Sequence, residues 1–221
     1  MRVWDWPIRV CHWGFACSSA GALACAYGFS PESDAFKVHL LLGISAGWFL
    51  GVRVVLGFGG SRTVRWRAFF HSPASTARYL ADVVRWRETR HEGISPGTSL
   101  FAVAVYAGLA GLIGTGFDAD WAETWHGRLA YVFMGLIAVH LVGLAGDALR
   151  HRRMTPLAMI HGWKLGRPEG EPIRAHWIGG VGLLALSALV TWLVFDRFDF
   201  VTAELRLPFL PGIQFPIIQK G

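Results

Sequence analysis

Five stretches of this 221-residue chain reach or approach the roughly 20 apolar residues that a helix needs to cross a hydrocarbon core. They run over about 10–29, 39–59, 99–117, 127–149 and 177–195. Lipid offers no partner to a backbone N–H or C=O, so each stretch must satisfy its own groups and fold as a helix. The expected fold class is therefore all-α, an integral membrane helical bundle. A hydrophobic content of 53% with 11 Trp departs from a soluble domain in the same direction. The first stretch carries "ALAC" before Ala26, a weak cleavage-like pattern, but Asp5, Trp6 and Pro7 interrupt its basic lead-in, so it is read as a retained helix.

Charge sets the expected orientation. Residues 58–98 hold seven Arg against three acids, and 150–175 hold six Lys or Arg against two acids. The other two loops, "SPESDAFK" and "FDADWAETW", are acidic on balance. By the positive-inside pattern the N-terminus is cytoplasmic, the acidic loops lie outside, and a fifth crossing leaves residues 196–221 outside. The basic loops thus account for the net charge of +6 without a nucleic-acid partner. Within the first of them, "HSPASTARYLADVVRWRETRHEG" has apolar positions at helical spacing and reads as an amphipathic helix on the inner surface. The three cysteines, Cys11, Cys17 and Cys25, match neither a zinc site nor a haem-attachment motif and read as packing residues.

The nine histidines separate by depth. His12 falls near the cytoplasmic start of the first span and His39 at the outer start of the second. His126 falls at the outer start of the fourth, with His140 fourteen residues on, about 21 Å further along one face of the helix. His71, His91, His151, His161 and His176 fall in loops or at boundaries and read as solvated or interfacial. Antiparallel crossing then lets His12 meet His140 in the inner half and His39 meet His126 in the outer half. Two imidazoles at one level on facing helices suit bis-His ligation of a non-covalent haem. A lone membrane His also serves as hydrogen-bonding glue, but four that pair by depth point to function. Gly43, Gly127, Gly135 and Gly143 would make room for a flat ring. No Asp, Glu or Cys accompanies these His at ligand spacing, which disfavours other metals. Arg9, Arg53 and Arg128 lie near the same levels, where they would either pair with haem propionates or snorkel to the interface.

The segments "RVWDWPIRVCHW", "HLLLGISAGWFLGVRVVLG", "WHGRLAYVFMGLIAVHLVG" and "MTPLAMIHG" resemble the bacterial di-haem cytochrome b561 family, which includes the b-type cytochrome subunits of nickel-iron hydrogenases. The resemblance covers roughly residues 1–165. It implies a four-helix core holding two haem b groups on His12, His39, His126 and His140, and electron transfer between the quinone pool and a periplasmic redox partner. In some members it implies superoxide oxidation with quinone as acceptor. The loop "GISPGTS" departs from the polar motif many members carry before the third helix.

The expected organisation is a di-haem membrane domain over 1–165, then a fifth transmembrane helix and periplasmic tail over 166–221. The tail, punctuated by Pro208, Pro211 and Pro216, reads as an extended segment that docks on something. The expected function is electron transfer as a subunit of a larger complex in the bacterial inner membrane, with membrane lipid, quinone and a c-type cytochrome or oxidoreductase subunit as partners. A stand-alone superoxide and quinone oxidoreductase, and a haem-free structural or transport subunit, are the alternatives.

Overall fold

A computed structural model describes residues 4–31, 33–85, 87, 94–151, 157–163, 176–207 and 212–215. Eight helices are described: α1 (Trp6–Gly28), α2 (Asp34–Gly59), α3 (Pro73–Val84), α4 (Pro96–Gly116), α5 (Ala119–Trp121), α6 (Gly127–His151), α7 (Ala158–His161) and α8 (Trp177–Asp196). Four of them are long and apolar enough to cross a membrane: α2, α4, α8 and the segment Thr124–Gly146 that contains most of α6. At 23 residues, α1 spans about 35 Å, but its polar residues keep it outside that set of four. All five expected spans are helices, each within a few residues of its expected bounds.

Local chemistry explains where the helices begin. Asp5 caps α1 by accepting from the Ile8 N–H at 3.2 Å, with Pro7 in the first turn, where its missing N–H costs nothing. Ser33, Ser72 and Ser95 cap α2, α3 and α4 in the same way, the last two again with a proline in the first turn. The surface helix expected in the basic loop is α3, and it lies against α4. An added Cβ on Gly97 would stand 2.5 Å from the Tyr79 ring, so glycine there lets α4 approach. The end of the expected helix, from Trp86 onward, falls mostly outside the described residues.

The bundle closes through small residues. An added Cβ on Gly14 of α1 would stand 2.2 Å from the Phe49 ring of α2, and one on Gly180 of α8 would stand 2.4 Å from Trp6. The Trp48 indole N–H of α2 reaches the Ser187 hydroxyl of α8 at 3.0 Å. Between α2, α4 and α6 a second core forms around Ala46, Val105, Leu109, Leu112 and Phe133. By contrast, α1 and α6 meet through tilted aromatic rings: Phe15 with Phe133 at 6.4 Å and Tyr27 with Tyr131 at 6.2 Å between centroids.

The tail docks on this chain itself. Short strands β1 (Phe198–Asp199), β2 (Glu204–Leu205) and β3 (Ile213–Gln214) form an antiparallel sheet in that order. Phe198, Ala203, Leu205 and Phe215 are buried with Leu41 of α2 and Val194 of α8. Lys37 ties the sheet to α2 by donating to the Phe200 carbonyl. Asp199 organises the β1–β2 turn, accepting from the Val201 and Thr202 N–H groups at 2.7 and 3.2 Å. These donors hold its carboxyl below the usual carboxylate range.

The glycine seams carry a measurable consequence. Gly14→Ala forces a methyl into the Phe49 ring, and overpacking of this kind costs about 1–3 kcal/mol. Gly51→Ala, where an added Cβ meets nothing within 4 Å, should be neutral. Thermal unfolding in detergent should show a lowered midpoint for the first variant alone, and equal midpoints would refute the tight α1–α2 seam.

Candidate functional site

The outer histidines come together. The His39 and His126 ring centroids are 5.8 Å apart with an interplanar angle of 77°. Two imidazoles that share one metal through bonds of about 2 Å have centroids about 6 Å apart, so the observed spacing fits a shared iron. His39 sits in the second turn of α2. His126 closes a π-helical turn over Ala122–His126 that leads into α6, an irregularity that sets its ring toward α4.

The hydrogen bonds at each ring fix its tautomer. The Ala22 carbonyl lies 2.8 Å from His39 Nδ1 and can only accept, so Nδ1 carries the proton. The Thr115 hydroxyl donates its one proton to the Gly111 carbonyl at 2.8 Å, which leaves it to accept from His126 Nδ1 at 3.2 Å. Each ring is therefore left with its lone pair on Nε2, the state a metal ligand needs. Neither partner was apparent in the sequence. Thr115 closes a Gly- and Ala-rich span eleven residues before His126, and that separation crosses a turn with no periodic signal.

A half-open cavity of about 90 Å³ lies beside this pair. Its walls come from α1, α2, α4 and α6, with Ala22, Gly43, Leu112 and Phe133 among them, and Phe215 of the tail completes the lining. A Cβ built on Gly43 would meet nothing within 4 Å, and the same holds at Gly127, Gly135 and Gly143. Of the four glycines singled out in the sequence, Gly43 lines the cavity, whereas Gly127, Gly135 and Gly143 are exposed on α6. An apolar cavity with two convergent imidazoles suits a flat, mostly apolar macrocycle.

The inner histidines are arranged differently. His12 and His140 are close enough to interact electrostatically. His140 stacks on Phe101 of α4, with centroids 4.8 Å apart and planes 10° from parallel. His12 packs edge-on against Trp13, and its buried Nδ1 has no protein hydrogen-bond partner. Phe101 is a further residue that sequence reading missed, because an apolar ring in an apolar span carries no distinguishing signal.

The three arginines diverge. Arg9 donates to the Met159 carbonyl at 3.3 Å and lies over the Trp6 ring. Arg128 is exposed over the Trp125 ring. Arg53, for which snorkelling was one of two expectations, does not snorkel: it is 4% exposed, donates to the Tyr106 hydroxyl at 3.0 Å and lies against the Trp66, Phe69 and Tyr106 rings. Its Nη1 is buried without a hydrogen-bond partner. A guanidinium in that setting calls for an anion.

Of the loop histidines, His71 pairs with the Ser99 hydroxyl at 3.1 Å and His161 Nδ1 accepts from the Trp163 N–H at 3.0 Å. His91 lies outside the described residues. Among the described residues no three His, Cys, Asp or Glu side chains gather at a metal-binding distance. The three thiols are free: Cys11 is buried against the Phe49 carbonyl, Cys25 is half-buried, and Cys17 is exposed rather than packed.

Residues 3–162 match the family model described as "Prokaryotic cytochrome b561". No curated protein and no solved structure matches the chain at a significant level.

Removing the Thr115 hydroxyl tests the tautomer argument. Thr115→Val keeps the shape of the side chain and deletes the hydroxyl acceptor for His126 Nδ1, leaving the ring its hydrogen bond to the Leu112 backbone. Loss of such an outer-shell partner typically costs about 10–100-fold in metal-group affinity. Titration of the haem-stripped chain with hemin should show the outer equivalent weakened by that factor; unchanged affinity would reduce Thr115 to a helix-end hydrogen bond.

Proposed function

Because the chain belongs to the prokaryotic cytochrome b561 family, and is thus a membrane b-type cytochrome that binds haem b and transfers electrons, we propose that it carries two haems. The outer one is held by His39 and His126, the inner one by His12 and His140. Electrons pass between the quinone pool and a periplasmic redox partner, with this chain serving as a subunit of a larger complex. The observation that carries the reading is the outer imidazole pair, with its 5.8 Å spacing and both Nδ1 positions engaged.

When bound, haem iron supplies a one-electron carrier whose potential depends on ligands, charge and burial. This chain's residues do the rest. The carbonyl of Ala22 and the hydroxyl of Thr115 orient the outer rings, and Phe101 braces His140. Arg53, with its free Nη1, would receive a propionate of the inner haem in a charge-assisted hydrogen bond. Arg9 and Arg128 would serve propionates only by leaving their present aromatic stacks.

The reading places α1 as a fifth crossing beside the four apolar helices, with the N-terminus cytoplasmic and the C-terminus periplasmic in the bacterial inner membrane. Residues 1–165 form the di-haem domain and 166–221 add the last helix and tail. The acidic outer loops favour a basic partner surface such as that of a c-type cytochrome, and they repel superoxide, which sets the stand-alone oxidoreductase second.

Quantifying haem by its pyridine haemochrome separates the pairs. His39→Ala and His126→Ala should each remove one equivalent and leave the other, while His12→Ala and His140→Ala should remove the second. Two full equivalents in either outer variant would refute the pairing. Potentiometric titration tests Arg53. A buried cation favours the less positive, reduced iron, so Arg53→Gln should lower the midpoint potential of the inner haem alone.

A further inference from the structure

The tail lies beyond the residues that match the family, yet it completes the outer site. Phe215 is 7% exposed and is the one tail residue, among those described, in the cavity's lining, beside His39 and His126. Its ring packs on Phe117, just past the end of α4, at 5.3 Å and on Phe198 of β1 at 6.1 Å. Its N–H donates to the Ala203 carbonyl at 3.1 Å, which fixes β3 against the β1–β2 turn. The sheet behind it is anchored at both of its helices, by Leu41 and Lys37 on α2 and by Val194 on α8.

We infer that the described tail residues, 198–207 and 212–215, are a fixed cap on the outer haem site that excludes small hydrophilic reactants and leaves a docked redox protein as its reactant. This rests on the two-haem reading and sharpens it by naming what can exchange electrons there. An electron crosses a layer of packed side chains, whereas a hydrated anion must shed its water to pass among the rings of Phe117, Phe198 and Phe215, which offer it no hydrogen bond in exchange. The cap therefore separates two chemistries that a bare outer haem would both permit.

The cap is tested by a chain ended after Arg197 and by full-length Phe215→Ala, each compared with the wild-type chain in detergent. First, the dithionite-reduced proteins are mixed with ferricyanide, which takes one electron from a reduced haem and becomes ferrocyanide. One haem equivalent should oxidise several-fold faster in the shortened chain, and Phe215→Ala should fall between it and wild type. Second, Ala22→Cys is placed in each chain with the three native cysteines replaced, and a membrane-impermeant maleimide is added. Cys at this cavity position should label several-fold faster without the cap. Equal oxidation and labelling rates with and without residues 198–221 would overturn the inference. Haem content is measured on the same samples: faster labelling with no haem bound would uphold the cap and refute the ligand assignment.

Discussion

Two imidazoles can serve one iron only if the helices that carry them are held apart by the thickness of a macrocycle, and helices in lipid otherwise close on one another. The bundle resolves this by using different spacers on different seams. Glycine sits where α1 meets α2 and α8, so that Phe49 and Trp6 press against backbone. Tilted phenylalanine and tyrosine rings sit where α1 faces α6, the seam across which the proposed inner haem would lie between His12 and His140. Packing of small residues is the chief attraction available between helices in a bilayer. The tight seams therefore carry the cohesion that the open one gives up.

Polar satisfaction runs parallel to this division. At the outer pair each ring nitrogen that is not offered to the cavity has an acceptor, one from the α1 backbone and one from an α4 hydroxyl. At the inner level the opposite holds: His12 Nδ1 and Arg53 Nη1 are both buried and unpartnered. Buried polar groups are ordinarily paired, and an unpaired cation is the costliest exception. The outer pair is oriented by protein groups alone, whereas at the inner level the protein leaves two buried polar atoms unpaired.

How much of this was legible in the sequence follows from the range of each signal. Helix spans and the depth of the four histidines depend on local composition and the 1.5 Å rise, so "WHGRLAYVFMGLIAVHL" was enough to place His126 and His140 on one rail. Thr115 and Phe101 were not legible, because their roles come from tertiary neighbours and their side chains suit a membrane span on ordinary grounds. Arg53 was legible as a residue and ambiguous in its role. Its position near the inner end of α2 allowed snorkelling, and only the Trp66, Phe69 and Tyr106 cage decides against it. The docking of the described part of the tail was legible from its apolar residues, while the surface it docks on was not; Pro208, Pro211 and Pro216 lie outside the described residues.

That surface changes how the outer half of the molecule is understood. A four-helix core alone would end in acidic loops, and electrostatics would be the only filter on what approaches. With Phe215 seated beside His39 and His126, the filter becomes steric and dielectric as well. Electrostatic steering is screened by salt over about 8 Å at physiological ionic strength, whereas a packed phenylalanine layer excludes a hydrated ion at any salt concentration. Under the proposed function, in which electrons go to one docked protein and not to soluble oxidants around it, the second kind of barrier contributes more than the first.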